Sequence, residues 1–435
     1  MERYLALDGV EGAGRMSLYN VYGLWFLVMS AFAVLIATLP LVLVDIVGRS
    51  EAANYQGWLT ATTAASGLVL CSSTGHMSDR IGRLGLLRIW CIAYAAGILL
   101  VVWGMRRGLV ESLFIARLPA ASVPFFIILA LCADIAKGPA LLQSHGHVGS
   151  IMGASALIGS FGAGIIGRWW GNQGAMLTAF FFSLLAIAMA FMMRPVPQQR
   201  GSHANFIDSM RVVLRDPLLS LTVLSFSMVR VGNVNINVVY VLYAAFRFEW
   251  TILEVSFMLG IRGALAVYLQ AAGTQLLARQ PPKAAIKALH WLMFAHPLSM
   301  LTMGLAWDGT SFMFFSTLNT ITWVAISILT SKVAALSHKE GIAGLALGAV
   351  GSLQNLIEIF AAIGFGWLLR YTVKTYAPTS AASGLPFYVN GLWYLLACGV
   401  LWFADARYGE NRAGWRVDPV EDSDDDNADL PSTPV

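Results

Sequence analysis

The chain has 435 residues, 57% of them hydrophobic and only 12% charged, with a net charge of +4 and a mean hydropathy of +0.67. That leaves too little charge to cover a water-soluble domain, and the basic residues are scattered over short loops, which excludes a nucleic-acid-binding surface. The four cysteines, Cys71, Cys91, Cys132 and Cys398, sit in apolar stretches without C-x-x-C spacing and read as small core residues.

A helix that crosses a bilayer needs about 20 apolar residues, and the chain offers twelve apolar segments in succession. They cover 22–46, 57–74, 84–104, 112–136, 148–167, 173–193, 217–245, 252–277, 285–307, 311–332, 343–369 and 387–405. Backbone groups in hydrocarbon must bond internally, and the alternation of barrel strands is absent, so each segment reads as a helix. The expected fold is an all-α integral membrane protein with twelve transmembrane helices in two six-helix bundles. The first apolar run begins near Tyr22 at full spanning length and reads as a retained helix rather than a cleaved signal.

The early part of helix one, WFLVMSAFAVLIATLP, carries no carboxylate. Between helices two and three lies GHMSDRIGRLG, with Gly75, Asp79, Arg80, Gly82 and Arg83. Its glycines suit a sharp turn, and its aspartate and arginines can form breakable charge-assisted bonds. Helix four carries Arg117 and ends with Ala133-Asp134-Ile135; helix five, GASALIGSFGAGIIG, is rich in glycine and lacks proline. Such small residues let membrane helices approach closely.

The longest internal polar stretch, from about Arg194 to Asp216, divides the helices six and six. Within it Phe206, Met210, Val213 and Leu214 recur at helical spacing, which predicts a short amphipathic helix on the membrane surface. The expected domains are a bundle over 22–194, a cytoplasmic linker over 195–216, a bundle over 217–405 and a disordered acidic tail over 406–435. With the N-terminus placed in the cytoplasm, eighteen Lys and Arg fall on the inner side against seven outside. The positive-inside rule then puts both termini in the cytoplasm.

Ionisable and polar groups at membrane depth are costly and mark candidate sites. Helix seven places Ser227, Arg230, Asn233, Asn237 and Tyr240 three and four residues apart, and helix eight carries Arg262 and Gln270. Ser316, Asn319, Thr320 and Trp323 share a face of helix ten; helix eleven has Gln354, Asn355 and Glu358. Two readings stand side by side: a polar solute cavity with a basic bias, or an arginine–Glu358 pair that staples helices together. Substrate-binding candidates are Arg117, Arg230, Asn233, Asn237, Arg262, Asn319, Trp323, Asn355 and Glu358, and Glu358 is the proton-coupling candidate. His290 and His296 lie six apart and do not share a face, and His145 and His147 lack further metal ligands. No metal or cofactor site and no catalytic set is placed.

Gly75, Asp79, Arg80, Gly82 and Arg83 match G-x-x-x-D-R-x-G-R-[RK], with Leu84 at the last basic position. The loop resembles the signature of the major facilitator superfamily. Arg117 and Ala133-Asp134-Ile135, with RFEWTILEVSFMLG after helix seven, resemble its tetracycline-efflux-like branch. The resemblance implies a monomeric solute transporter working by alternating access, without nucleic acid or enzymatic activity, with Gly75, Asp79, Arg80, Gly82, Arg83 and Asp134 in an inner gate. The missing helix-five proline and helix-one carboxylate depart from proton-driven drug antiporters of that branch. A transporter-like receptor or scaffold that binds without transport is the alternative.

Overall fold

The structure is a computed structural model that describes residues 12–118, 139–194, 206–273, 282–338 and 343–408, with positions 127, 128, 131, 132, 135 and 276 besides. Every regular element among the described residues is helical. The first half holds α1 (Gly12–Val47), α2 (Arg49–Ile81), α3 (Arg83–Arg107) and the start of α4 (Val110–Arg117). It continues in one long helical run, Pro139–Met192, interrupted at Gly171 with φ 67° and ψ −172°. That conformation is closed to most side chains. A single glycine therefore takes the place of a loop and separates α5 (139–170) from α6 (172–192).

The second half holds α7 (Pro217–Arg247), α8 (Ile252–Gly273), α9 (Pro282–Gly304), α10 (Gly309–Val333), α11 (Ala343–Thr375) and α12 (Leu385–Tyr408). Eight described stretches are long and apolar enough to cross a membrane, and one of them spans both α5 and α6. The chain is a multi-pass membrane protein of two six-helix bundles.

Local chemistry sets the helix starts. Pro217 occupies the first turn of α7, where its missing N–H costs nothing, and the Asp216 carboxylate accepts from Leu218 N at 3.0 Å. Thr251 and Glu254 form a reciprocal cap on α8, and Asp308 and Ser311 do the same for α10. Several helices run past the apolar segments that announce them. The second segment, expected over 57–74, lies inside Arg49–Ile81. Hydropathy detects the part that sits in hydrocarbon, and the polar ends continue the helix beyond it.

The linker helix, Phe206–Arg215, forms as its periodicity predicts. Its surroundings differ from the expectation of a membrane-surface helix. Val213 is buried in a core cluster with Leu219, Leu329 and Val333, while Leu214 is exposed. Part of its apolar face is thus covered by the second bundle.

Two pairings join the halves: α2 lies along α11, and α5 along α8. Glycine makes both close. A Cβ on Gly57 would fall 2.5 Å from Ala362 O, and one on Gly263 would fall 2.6 Å from Leu157 N. Helices in lipid associate by such packing, because lipid supplies no hydrophobic drive between them. Polar bonds cross as well, among them that from Gln56 Nε2 on α2 to Asn237 O on α7 at 2.8 Å.

Candidate functional site

Three second-half helices depart from regular α geometry. A π-turn spans Ile236–Tyr240 in α7, another spans Leu269–Gly273 in α8, and a 3₁₀ turn spans Thr320–Trp323 in α10. Irregular turns of this kind concentrate at functional positions, because they re-aim side chains and free carbonyls. Here the freed carbonyl of Asn237 takes the bond from Gln56. The turn also interrupts the three-and-four spacing that the sequence suggests between Asn233 and Tyr240.

The turns in α7 and α10 bring two rings to one arginine. The guanidinium of Arg262, on α8, lies 4.8 Å from the centre of the Tyr240 ring and 5.4 Å from that of Trp323. Arg262 is 1% exposed, and among the described residues neither Nη1 nor Nη2 has a hydrogen-bond partner. A desolvated cation–π contact is worth about 2 kcal/mol. An uncompensated charge in a protein interior costs several kcal/mol. The rings offset part of that cost and leave the donors open. An acceptor placed there would gain charge-assisted, bidentate bonds.

A polar chain continues from the rings. Tyr240 OH stands 3.5 Å from Asn319 Oδ1 and 3.4 Å from Met303 Sδ. Asn319 Nδ2 donates to Ser299 Oγ at 2.6 Å and to His296 Nδ1 at 3.1 Å. With Asn319 donating, Nε2 of the neutral His296 carries the ring hydrogen, and it has no partner among the described residues. His296 stacks on Tyr394 at 3.9 Å between ring centres. Its spacing within helix nine gave no sign of this, because its partners belong to α10 and α12.

Arg230 is paired. Its Nε and Nη2 each lie 2.8 Å from Glu358 Oε2, joining α7 to α11. Both residues are thus committed to each other in this conformation. Arg117, on α4, is buried, its Nε without a partner among the described residues and its guanidinium 6.0 Å from the Phe32 ring centre. Asn355 sits against Gly67, where α11 approaches α2, and Asn233 is half-buried on α7. The structure therefore gathers Arg262, Trp323 and Asn319, and separately Arg230 and Glu358.

The inner-gate residues are described only in part. Gly82 ends α2 and starts α3 with φ 90°, which explains the glycine in the signature loop. The side chains of Asp79 and Arg80, the surroundings of Gly75, and Asp134 altogether lie outside the described residues. So does the acidic tail. At the opposite face, where α1 meets α2 and α11 nears its end, Glu51 Oε1 accepts from Arg370 Nη2 and from Lys374 Nζ, each at 2.8 Å. The bond from Lys374, then that from Arg370, holds the Glu51 carboxyl below the usual carboxylate range. No local signal could reveal this cluster, since Glu51 lies 319 and 323 positions from Arg370 and Lys374. A groove of about 310 Å³ on the same face is lined by Arg247, Phe248 and Trp307, away from Arg262.

A family model described as Major Facilitator Superfamily matches residues 21–362. The chain is 21% identical over 357 residues to the class H tetracycline resistance protein of Pasteurella multocida, covering 77% of this chain and 84% of that protein. It is 21% identical over 401 residues to the class E protein of Escherichia coli, covering 86% and 90% respectively. Among solved structures, a D-xylose–proton symporter superposes with a TM-score of 0.71 at 15% identity, covering 89% of this chain and 97% of that one. The human organic anion transporter MFSD10 (TETRAN) superposes with a TM-score of 0.66 at 15% identity, covering 89% and 99%.

Proposed function

The chain belongs to the Major Facilitator Superfamily, and we propose that, as a transporter of that family, it carries a small anionic organic solute by alternating access. The observation that carries this reading is Arg262, buried between Tyr240 and Trp323 with both terminal nitrogens open. A carboxylate or phosphate oxygen is the partner that matches a planar fork of donors. Tyr240 and Asn319 would supply neutral bonds nearby, and Arg117 a second positive charge from the first half. Arg262 is closed to solvent in this conformation, so the solute would be held in an occluded state or admitted when the halves rock. The relatives do not choose the solute. Their names speak of tetracycline, D-xylose and organic anions, at identities that carry the fold alone.

In this reading the Glu51–Arg370–Lys374 cluster closes the outer side. Asp79, Arg80, Arg83 and Asp134 close the inner side in the alternate state. Glu358 is the proton-coupling candidate: protonation would release Arg230. The proposed frame has bundles over 22–194 and 217–405, a cytoplasmic linker over 195–216, and both termini in the cytoplasm.

The test begins with purified protein and a thermal-shift screen of carboxylates, phosphates, neutral sugars and organic cations, since a bound solute stabilises the fold by mass action. The hit is then measured for flux in liposomes with wild-type protein and with Arg262→Gln. An anion that stabilises wild type and is carried by it, but not by the variant, is expected. A cationic or neutral solute, or unchanged flux in Arg262→Gln, overturns the site assignment. Binding without flux would favour the receptor alternative.

A further inference from the structure

We propose that the groove between α9 and α12 binds the headgroup of an anionic phospholipid. The groove encloses about 350 Å³ and is lined by Ile286, Lys287, His290, Trp291, Trp402 and Asp405, with Ala406 beside them. It lies outside the solute site and does not depend on how that site is read. Lys287 is five residues into α9 and Asp405 three from the end of α12, so the groove sits within roughly 8 Å of the helix ends. That is headgroup depth rather than mid-membrane depth.

The charges favour an anion. Asp405 looks inward with both oxygens engaged: Oδ2 meets His290 Nε2 at 2.9 Å, and Oδ1 meets Nζ of the buried Lys332. Lys332, on α10, thereby neutralises its negative charge, and His290, on α9, adds a hydrogen bond. Lys287 is exposed and makes no ion pair among the described residues, which leaves its ammonium as the net charge facing the groove. A phosphate is its natural counterpart. The walls suit the rest of a lipid. Trp291 and Trp402 are each 64% exposed, and tryptophan belongs at the headgroup boundary, where its ring meets acyl chain and its N–H meets ester oxygen. An aromatic belt alone would give the two rings, but not a polar-floored hollow with an open ammonium between them. The face is also the one that basic residues assign to the cytoplasm, where anionic lipids attract Lys.

The experiment uses the full-length protein in detergent, offered mixed vesicles of phosphatidylglycerol and phosphatidylcholine. Retained lipid is read by native mass spectrometry, and thermal stability is read in parallel. Wild type should retain phosphatidylglycerol selectively and melt several degrees higher with it. Lys287→Ala should lose roughly five- to tenfold of that selectivity, and Lys287→Arg should keep it. Trp402→Ala should weaken retention of both lipids. Equal retention of the two lipids by wild type, or unchanged selectivity in Lys287→Ala, overturns the proposal. The same stabilisation by inorganic phosphate alone also overturns it, since the site would then belong to a soluble anion.

Discussion

At the scale of single residues, Arg262 and Arg230 show two ways to keep a cation inside a membrane protein. Arg230 has a carboxylate; Arg262 has two aromatic faces and unmet donors. Substitution should separate them. Arg262→Gln should lower solute affinity by roughly ten- to a hundredfold, the worth of one charged hydrogen bond, while leaving folding intact. Arg262→Lys should rescue little, because a point charge replaces a planar fork. Arg230→Gln should instead reduce stability, as it strands Glu358 in a buried place. A thermal scan and a binding isotherm on the same samples decide this; equal effects of both substitutions on stability and affinity would refute the division. The three mid-membrane arginines were legible in the sequence as costly groups. Which of them would be paired was not, since that depends on α7 and α11 meeting across 128 positions. His296 was passed over because its partners lie on other helices.

At the scale of elements, the proposed closure of one face rests on α2 packed against α11. The glycines of that contact leave no room for a side chain. Gly57→Val should push α11 away, favour conformations open on that face, and cut flux by about tenfold or more, since overpacking of this kind costs about 1–3 kcal/mol. Normal flux in that variant would mean the contact is not part of the transport cycle. The Glu51 cluster gives the same closure a pH dependence. Its carboxyl is depressed, so the stabilisation is fully present above the unfolded value and disappears as pH falls through the folded one. The ordinary value is about 4.3, so closure should hold through neutral pH and loosen only below about pH 4. Spin labels at Arg49 and Thr375 should report a wider separation there, and Glu51→Gln should give that separation at neutral pH. Distances unmoved by either change would show that packing alone closes this face. Hydropathy made the helices themselves readable, along with the glycine-marked turn at Gly82. The π and 3₁₀ turns were hidden, because neighbouring helices impose them rather than local propensity.

For the whole molecule, twelve apolar segments and the signature loop were enough to anticipate two bundles of six helices and the family. The exact ends of the helices and the cover over the linker helix were not accessible, since hydropathy stops at the edge of the hydrocarbon. Topology remains a prediction from charge: epitope tags at both ends should resist external protease in sealed cells and be cleaved after permeabilisation. Cleavage of either tag from outside would invert the assignment of inner and outer gates.

The two arginines that no carboxylate pairs with among the described residues, Arg117 and Arg262, have an electrical consequence. An empty carrier of this design bears fixed positive charge at its centre, and a carrier loaded with an anion bears less. Each time the closed barrier shifts from one side to the other, that charge crosses part of the membrane potential, worth about 2.3 kcal/mol per elementary charge for each full 100 mV. Voltage would therefore act mainly on the return of the unloaded protein. Turnover should be voltage-sensitive when the return step limits it, while the loaded step runs nearly electroneutral for a divalent solute.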